Sequence, residues 1–368
     1  MSPYKTLFVF LLLSLLVSGV CQGQGEGCVP DGATTAEVRA LPGLPGSGVV
    51  DAFAFVDGVP IVLVEGNAYA QLAETCEWVL VQEVYDPAYF EDTFFMQDGR
   101  WYRRLDSGES LLLSTEFADD FEFGSSVQDL LLPDGSRYTS FVLLSPLAPT
   151  VPEYNALRDC LMAGTCDFLD NRIDFDPTVA RTGEQSLRFY AVPPSPESRT
   201  SKSLVERGLF FFRQDDHAWF SGWYKAEEAL PFTLLDFETS GIVERPGLRI
   251  TLRSGALSAE LKWLDKPQYL QDPGSVVPFP IGRWVHVRVH VLFSEDELGK
   301  IEIWQDGQKV LSQHGRTLPT ADTVIDFVQI GITATPRETV LHVDDVRVSA
   351  TRIPSNPNGK LETVAPKP

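Results

Sequence analysis

The residues best suited to chemistry lie in one alternating run. From Trp284 to Phe293, Val285, Val287, Val289 and Val291 alternate with Trp284, His286, Arg288 and His290. A period of two puts the valines on one face of a strand and two imidazoles with a guanidinium on the other. Imidazoles take and give protons near neutral pH, and His217 and Tyr224 are further groups of that kind. Cations recur at the same period: Arg249 and Arg253 share a strand face, as do Glu260 and Lys262, with Lys202 upstream. Other chemistries lack their motifs. There is no Gly-x-Ser-x-Gly, His-Glu-x-x-His or phosphate loop. Nor is there a Glu-x-Asp-x-x-Glu run for paired carboxylates; Glu227 and Glu228 are adjacent, and Glu302 stands without a partner. A strand buried on both faces would not carry His286, Arg288 and His290, so that face is expected to be solvated.

Strands must hold these groups. Trp284 to Phe293 is the clearest, followed by Lys300–Trp304, the turn Asp306-Gly307 and Lys309–Leu311, a two-residue hairpin. Residues 324–333 and 340–348 supply two more. Upstream, Ser186–Val192, Leu209–Phe212, Ala218–Tyr224, Leu248–Arg253 and Leu257–Trp263 complete roughly ten strands with one packed face each, which predicts an all-β sandwich. One helix interrupts them. Pro152 to Cys166 opens on proline and spaces Ala156, Leu157, Cys160 and Leu161 helically. Nearer the N-terminus, Asp51-Ala-Phe53-Ala-Phe-Val-Asp57-Gly58 recurs as Asp92-Thr-Phe94-Phe-Met-Gln-Asp98-Gly99, which predicts two hairpins in a small β-rich segment.

The 368 residues suffice for about two domains, and 43% hydrophobic with 11% aromatic content excludes a disordered chain. With 30 basic against 51 acidic residues, the net charge of −21 argues against a nucleic-acid partner. Lys5 and the apolar run Leu7–Val17 read as a secretory signal, too short for a membrane span. Cys21 after Leu16-Val-Ser-Gly-Val20 adds the option of a lipidated N-terminus, although Val20 stands where that signal wants a small residue. The protein is therefore expected outside the cytoplasm: secreted, periplasmic or an outer-membrane lipoprotein touching the membrane only through its lipid. Four further cysteines allow three pairings, of which Cys28 with Cys76 and Cys160 with Cys166 are the most local. The expected organisation is a signal at 1–23, a linker at 24–48, a β-rich domain at 49–115, a sandwich at 116–353 and a disordered tail at 354–368.

Ile281-Gly-Arg-Trp284-Val-His286, then Gly299-Lys-Ile-Glu-Ile-Trp304-Gln-Asp306-Gly307, and later Gln329-Ile-Gly331-Ile resemble the concanavalin A-like lectin/glucanase jelly roll. The likeness is nearest to its polysaccharide-lyase and laminin-G-like branches and covers residues 117–353. Asp120-Phe-Glu122, Arg181-Thr-Gly183-Glu-Gln-Ser186 and Val343-Asp344-Asp345-Val346 fit the same pattern. The resemblance implies a concave sheet that receives an acidic sugar polymer. In the alginate-lyase branch, an Arg-bearing strand, a Gln-x-His strand and a late strand with Tyr-Phe-Lys-x-Gly-x-Tyr carry the catalysis. Their places here are Thr200–Ser203, with Lys202 for the arginine; Phe220–Trp223, with neither Gln nor His; and Phe327–Thr333, with Thr333 for the tyrosine.

Two functions follow. The first is a non-catalytic, carbohydrate-binding protein of the cell surface or medium, in which Trp219, Trp223, Tyr224 and Trp263 stack on sugar rings beside Arg249 and Arg253. The second is a polysaccharide lyase acting on an acidic polysaccharide by β-elimination. It would use Lys202, Arg249, Arg253 or Lys262 to neutralise the uronate, and Tyr224, His286 or His290 as base. Cations and Tyr224 converging on one sheet would favour the enzyme. The resemblance further implies a structural Ca2+ tying the first and last strands, held by Asp120 or Glu122, carbonyls around Gly183, and one of Asp344 and Asp345. Alternation allows only one of those two aspartates to face the ion, with Asp345 favoured.

Overall fold

The computed structural model describes residues 108 and 110–353 apart from 132–136, 197, 199, 240–246, 263–266 and 322. Before them it describes 52–56, 59–64, 67–71, 77–83, 93–98 and 100–104. Two compact units result: the first takes the chain to Glu91 together with Gly241–Glu244 and Trp263–Pro267, and the second takes the remainder from Asp92. The first holds an antiparallel four-stranded meander, β1 (Ala52–Val56), β2 (Val59–Val64), β3 (Asn67–Gln71) and β4 (Trp78–Glu83).

The second unit begins with a three-stranded sheet, β5 (Phe94–Gln97), β6 (Arg100–Arg104) and β7 (Ser110–Leu112). The two Asp-Gly hairpins are thus both present, with Val56 opposite Val59 and Gln97 opposite Arg100, but they fall in different units. Trp101 explains the attachment of the second hairpin: its ring stacks on Phe211 at 4.4 Å, and Phe94 meets the same ring edge-on.

The rest of the unit is a sandwich. Its elements are β8 (Phe117–Asp119), β9 (Ser140–Val142), helix α1 (Val151–Met162), β10 (Arg172–Asp176), β11 (Ser186–Ala191), β12 (Ser201–Arg207), β13 (His217–Ala226), β14 (Thr233–Glu238), β15 (Gly247–Arg253), β16 (Ala256–Leu261), β17 (Gln268–Tyr269), β18 (Val285–Leu292), β19 (Lys300–Gln305), β20 (Gln308–His314), β21 (Phe327–Thr335) and β22 (Thr339–Ser349). One sheet runs β10-β11-β22-β13-β18-β19-β20, with β8 also on β22; the other runs β17-β16-β15-β14-β21-β12-β9. Val285, Val287, Val289 and Val291 face inward with Phe220, Phe189 and Val343, against Phe237, Leu248, Ile250, Val328 and Ile330 of the other layer, all essentially inaccessible. Phe237 meets Phe293 edge-to-face across the layers at 6.4 Å. This is the all-β sandwich that the strand pattern predicts, in the jelly-roll form that the resemblance implies.

Turn chemistry sets the registers. Ser254-Gly255 takes φ 50° and 77° between Arg253 and Ala256, and Asp306-Gly307 takes 50° and 85° between Gln305 and Gln308. These are the two-residue turns that match strand twist. Helix α1 starts with a Thr150/Glu153 capping box and proline in its first turn, and Cys160–Cys166 closes its end around Gly164 at φ 64°. The segment Leu209–Phe212 differs from the expected strand. It makes only single bridges, Phe210 with Ser114 and Phe212 with Ile325, while its phenylalanines fill the core.

Candidate functional site

One face of the seven-stranded sheet carries an unbroken polar row. Register places Glu206 opposite Gln329, Gln329 opposite Asp236, Asp236 opposite Arg249, Arg249 opposite Glu260, and Glu260 opposite Gln268. Each of the strands β12, β21, β14, β15, β16 and β17 contributes one member. The inward residues of those strands are apolar, so alternation forces these side chains onto the opposite face. The Ser254-Gly255 turn aligns Arg249 with Glu260; a one-residue slip would bury the arginine among the leucines.

Hydrogen bonds and ion pairs run along the row. Gln329 Nε2 donates to Glu206 at 3.0 Å, and the Thr333 hydroxyl donates to Asp236 at 3.2 Å. Arg249 and Arg253 grip the two oxygens of Glu260 at 3.5 and 3.1 Å, and Gln268 Nε2 adds a bond at 3.2 Å. Lys262 lies just beyond β16, where its ammonium pairs with Glu238 and stands 3.7 Å from Asp236. Gly247 sits between Glu238 and the Lys262 backbone, and with no side chain it lets the lysine reach across β15. A Cβ there would also meet the Phe237 carbonyl.

Burial separates the signs of charge. Asp236, Glu238 and Glu260 are buried, whereas the Arg249 and Arg253 side chains keep 24% and 36% of their surface. Burial also pushes the Lys262 ammonium down to about 8, further lowered by Lys202 and opposed by Asp236 and Glu206. Such a lysine is poised between ammonium and free amine near neutral pH. Two buried atoms of the row lack partners, the Gln329 carbonyl oxygen and Arg249 Nε. An unmet buried polar atom costs about 1–3 kcal/mol, so this face holds hydrogen-bonding capacity that the protein does not itself use.

Arg249, Arg253, Lys262 and Lys202 therefore converge on one sheet face, as the second functional expectation required. The proposed bases do not join them. Tyr224 points between the layers, fully buried, its hydroxyl unpartnered and its pKa raised by burial. All five histidines lie on β13, β18, β20 and β22 of the eight-stranded sheet. The segment Phe220–Trp223 runs in that sheet too, so it does not stand beside Gln329 and Thr333. The strand that does is β14, reading Asp236-Phe237-Glu238. Asp236 and Glu238 escaped the sequence reading, although their alternation with Leu235 and Phe237 marks a strand.

The outer face of the eight-stranded sheet corrects a second expectation. His286, Arg288 and His290 do share it, but β18 is buried on both faces rather than solvated. Trp219 stacks on His290 at 4.1 Å, Arg288 lies 4.2 Å over Trp304, and Ile353 packs with both tryptophans. Trp223 holds Arg181 4.0 Å above its ring and leans on His286. His217 Nδ1 meets His290 Nε2 at 2.8 Å, and His290 Nδ1 meets Glu302 at 2.9 Å. Burial pushes Glu302 up, but hydrogen bonds from Lys309, His290 and Lys300 hold it down to about 2. Burial lowers His286 to about 4, helped by Arg288, while Ser221 Oγ sits 2.7 Å from its Nε2.

Further across that sheet, on its interior strand β22, Asp345 takes φ 50° and shifts the β13–β22 register. The bulge cancels the alternation, so both aspartates reach the same turn. Asp344 accepts the Arg181 and Thr182 amides, and Asp345 accepts the Thr182 hydroxyl. Glu122 accepts the Glu184 amide in that turn, with Gly183 against its carboxylate. Burial pushes the Asp345 carboxyl up, and Asp120 and Glu122 add to that through their charge. Among the described residues no cluster of three or more His, Cys, Asp or Glu is closed around a metal position. Trp263, Cys21, Cys28 and Cys76 lie outside the described residues. No helix of the described residues is long and apolar enough to cross a membrane.

Comparison with known proteins bears on this geometry. No curated protein matches the chain. Among solved structures it is similar to an endo-β-1,4-glucuronan lyase from the fungus Trichoderma reesei, at 15% identity over 50% of this chain and 88% of that one, TM-score 0.41. Cellulose induced protein Cip1 matches at 18% identity over 50% and 88%, TM-score 0.39, and alginate lyase Aly36B at 9% over 66% and 99%, TM-score 0.37. The family model described as polysaccharide lyase matches residues 159–347, just over half of the chain and every strand of the polar row, and the chain belongs to that family.

Proposed function

We propose that the protein cleaves an acidic polysaccharide by β-elimination on the polar face of the seven-stranded sheet. Arg249 and Arg253, outermost on that face, would take the uronate carboxylate and lower the cost of forming a carbanion at C5. Lys262, as free amine, would accept the C5 proton. The C4–O bond then breaks with its electron pair, a C4=C5 double bond forms, and the new ammonium returns a proton to the leaving oxygen. Asp236 and Glu238 hold Lys262 in place, and Thr333 fixes Asp236. The observation that carries this reading is Lys262, lowered to about 8 by burial, on the same sheet face as two partly exposed guanidinium groups inside the family-matched span.

The test is incubation of the full chain with glucuronan, alginate and heparin while following the ultraviolet absorbance of the unsaturated product. Activity should rise through about pH 8 as Lys262 deprotonates. A second reading, binding without cleavage, is supported by the absence of any histidine or Tyr224 from this face. Retention of these polymers on the protein with no unsaturated product would decide for it. Either way, the polymer is the expected partner, and export rests on the N-terminal signal.

A structural Ca2+ at the Asp345 bulge is part of the proposal. The support for it is electrostatic: the charges of Asp120 and Glu122 push the Asp345 carboxyl up, a repulsion that a hard divalent ion would relieve, and binding would have to draw the carboxylates closer than they now stand. Its role would be to tie the opening and closing segments.

A further inference from the structure

The polar row does not stop at the sheet edge. Its last member, Gln268, also lines a groove of 550 Å³ between β17 and β20, the edge strands of the two layers. The six-strand row spans about 24 Å at the usual strand separation. A polymer lying along it would therefore run directly into this groove. The chemistry changes there. The lining includes Gln268 and Gln313, whose amide nitrogens donate to Glu260 and the Leu270 carbonyl and whose amide oxygens are left as acceptors, the Ser312 hydroxyl 3.4 Å from Glu302, and Leu270, which is 46% exposed; Gln271 is buried and bonded at both ends. Lys309, the one cation among the lining residues, is engaged by Glu302 and lies 5.2 Å from the Trp304 ring. Asp272 is the one carboxylate, held by the Gly274 amide at 2.9 Å. Amides, a hydroxyl and an apolar platform suit the hydroxyl-rich faces of an uncharged sugar, whereas Asp272 repels a second uronate.

We infer that this groove is a distal subsite for an uncharged sugar. The substrate class is then a heteropolysaccharide that intersperses uronates with neutral residues, rather than a homopolyuronate. The inference rests on the proposed glycan face and adds a selection that the arginines cannot make.

Binding of three probes to the full chain tests it: a homopolyuronate such as glucuronan, an alternating polymer such as hyaluronan, and neutral cellulose oligosaccharides. The expected order is alternating polymer first, by about tenfold over the homopolymer. Asp272→Asn keeps an acceptor for Gly274 and should cut that preference about fivefold; Asp272→Lys should reverse it. Gln313→Ala with Leu270→Ala should weaken the alternating polymer and leave the homopolymer unchanged. Acidic polymers bound with equal affinity, or a preference untouched by the groove variants but lost in Arg249→Ala, would overturn the subsite while leaving the glycan face standing. Failure to bind either acidic polymer would overturn both.

Discussion

The two outer faces of the sandwich are built by the same alternation and have opposite characters. On the eight-stranded sheet, Trp219, Trp223 and Trp304 cover His286, Arg288 and His290, and the buried carboxylate of Glu302 is bonded by Lys309, Lys300 and His290. The row on the seven-stranded sheet is built differently. Its carboxylates lie deep, its arginines stand outermost, and two of its buried polar atoms are unpaired. Rich titratable chemistry is thus a poor guide to a site when aromatic rings cover it. The face whose arginines stand outermost is the better candidate, even with no histidine.

That contrast breaks most directly at the two candidate bases. Lys262→Met should reduce β-elimination by about 10²–10⁴-fold, and Lys262→Arg should not restore it, because a guanidinium does not give up its proton near neutral pH. His290→Gln should stay within about threefold of the unaltered protein. Initial rates on an acidic polymer check both, and the reverse outcome would move the site to the other face. The next largest effect is on stability. His286 remains neutral in the fold down to about pH 4, whereas in the unfolded chain it protonates near 6.5. The unfolded state binds the extra proton between those values, so stability is lost as pH falls from about 6.5 to 4, by at most about 3 kcal/mol. His290 and His342, also lowered by burial, act in the same direction. Urea midpoints across that range should decline, and His286→Gln should flatten the decline.

Two smaller effects sharpen the comparison. With Ca2+ at a hundredfold excess over its dissociation constant, chelation should remove about 2.7 kcal/mol. An unchanged melting midpoint, with no calcium by elemental analysis, would reject the ion. Glu302→Gln should cost about 2 kcal/mol, below the full penalty for a buried pair because Lys309 and Lys300 keep part of their surface. Its activity should be unaltered, which separates a structural carboxylate from those under Lys262.

Local pattern was sufficient for much of this molecule. The valine period marks β18, the Asp-Gly pairs mark hairpins, Pro152 with its apolar spacing marks α1, and the Cys160–Cys166 staple follows from six residues of separation. Each depends on groups within a few residues of one another, which the sequence alone determines. It likewise put Arg249 with Arg253 and Glu260 with Lys262 on common faces, because a strand's period is two wherever the strand lies. What the tertiary structure decided is adjacency. That β14 pairs with β21, setting Asp236 against Gln329, depends on segments about ninety residues apart in the chain. The placement of β13 in the opposite layer, taking Tyr224 and the histidines from the cations, is equally nonlocal. So is the cover over His290: period two assigns a face, but only packing determines whether that face meets water, a tryptophan or a ligand.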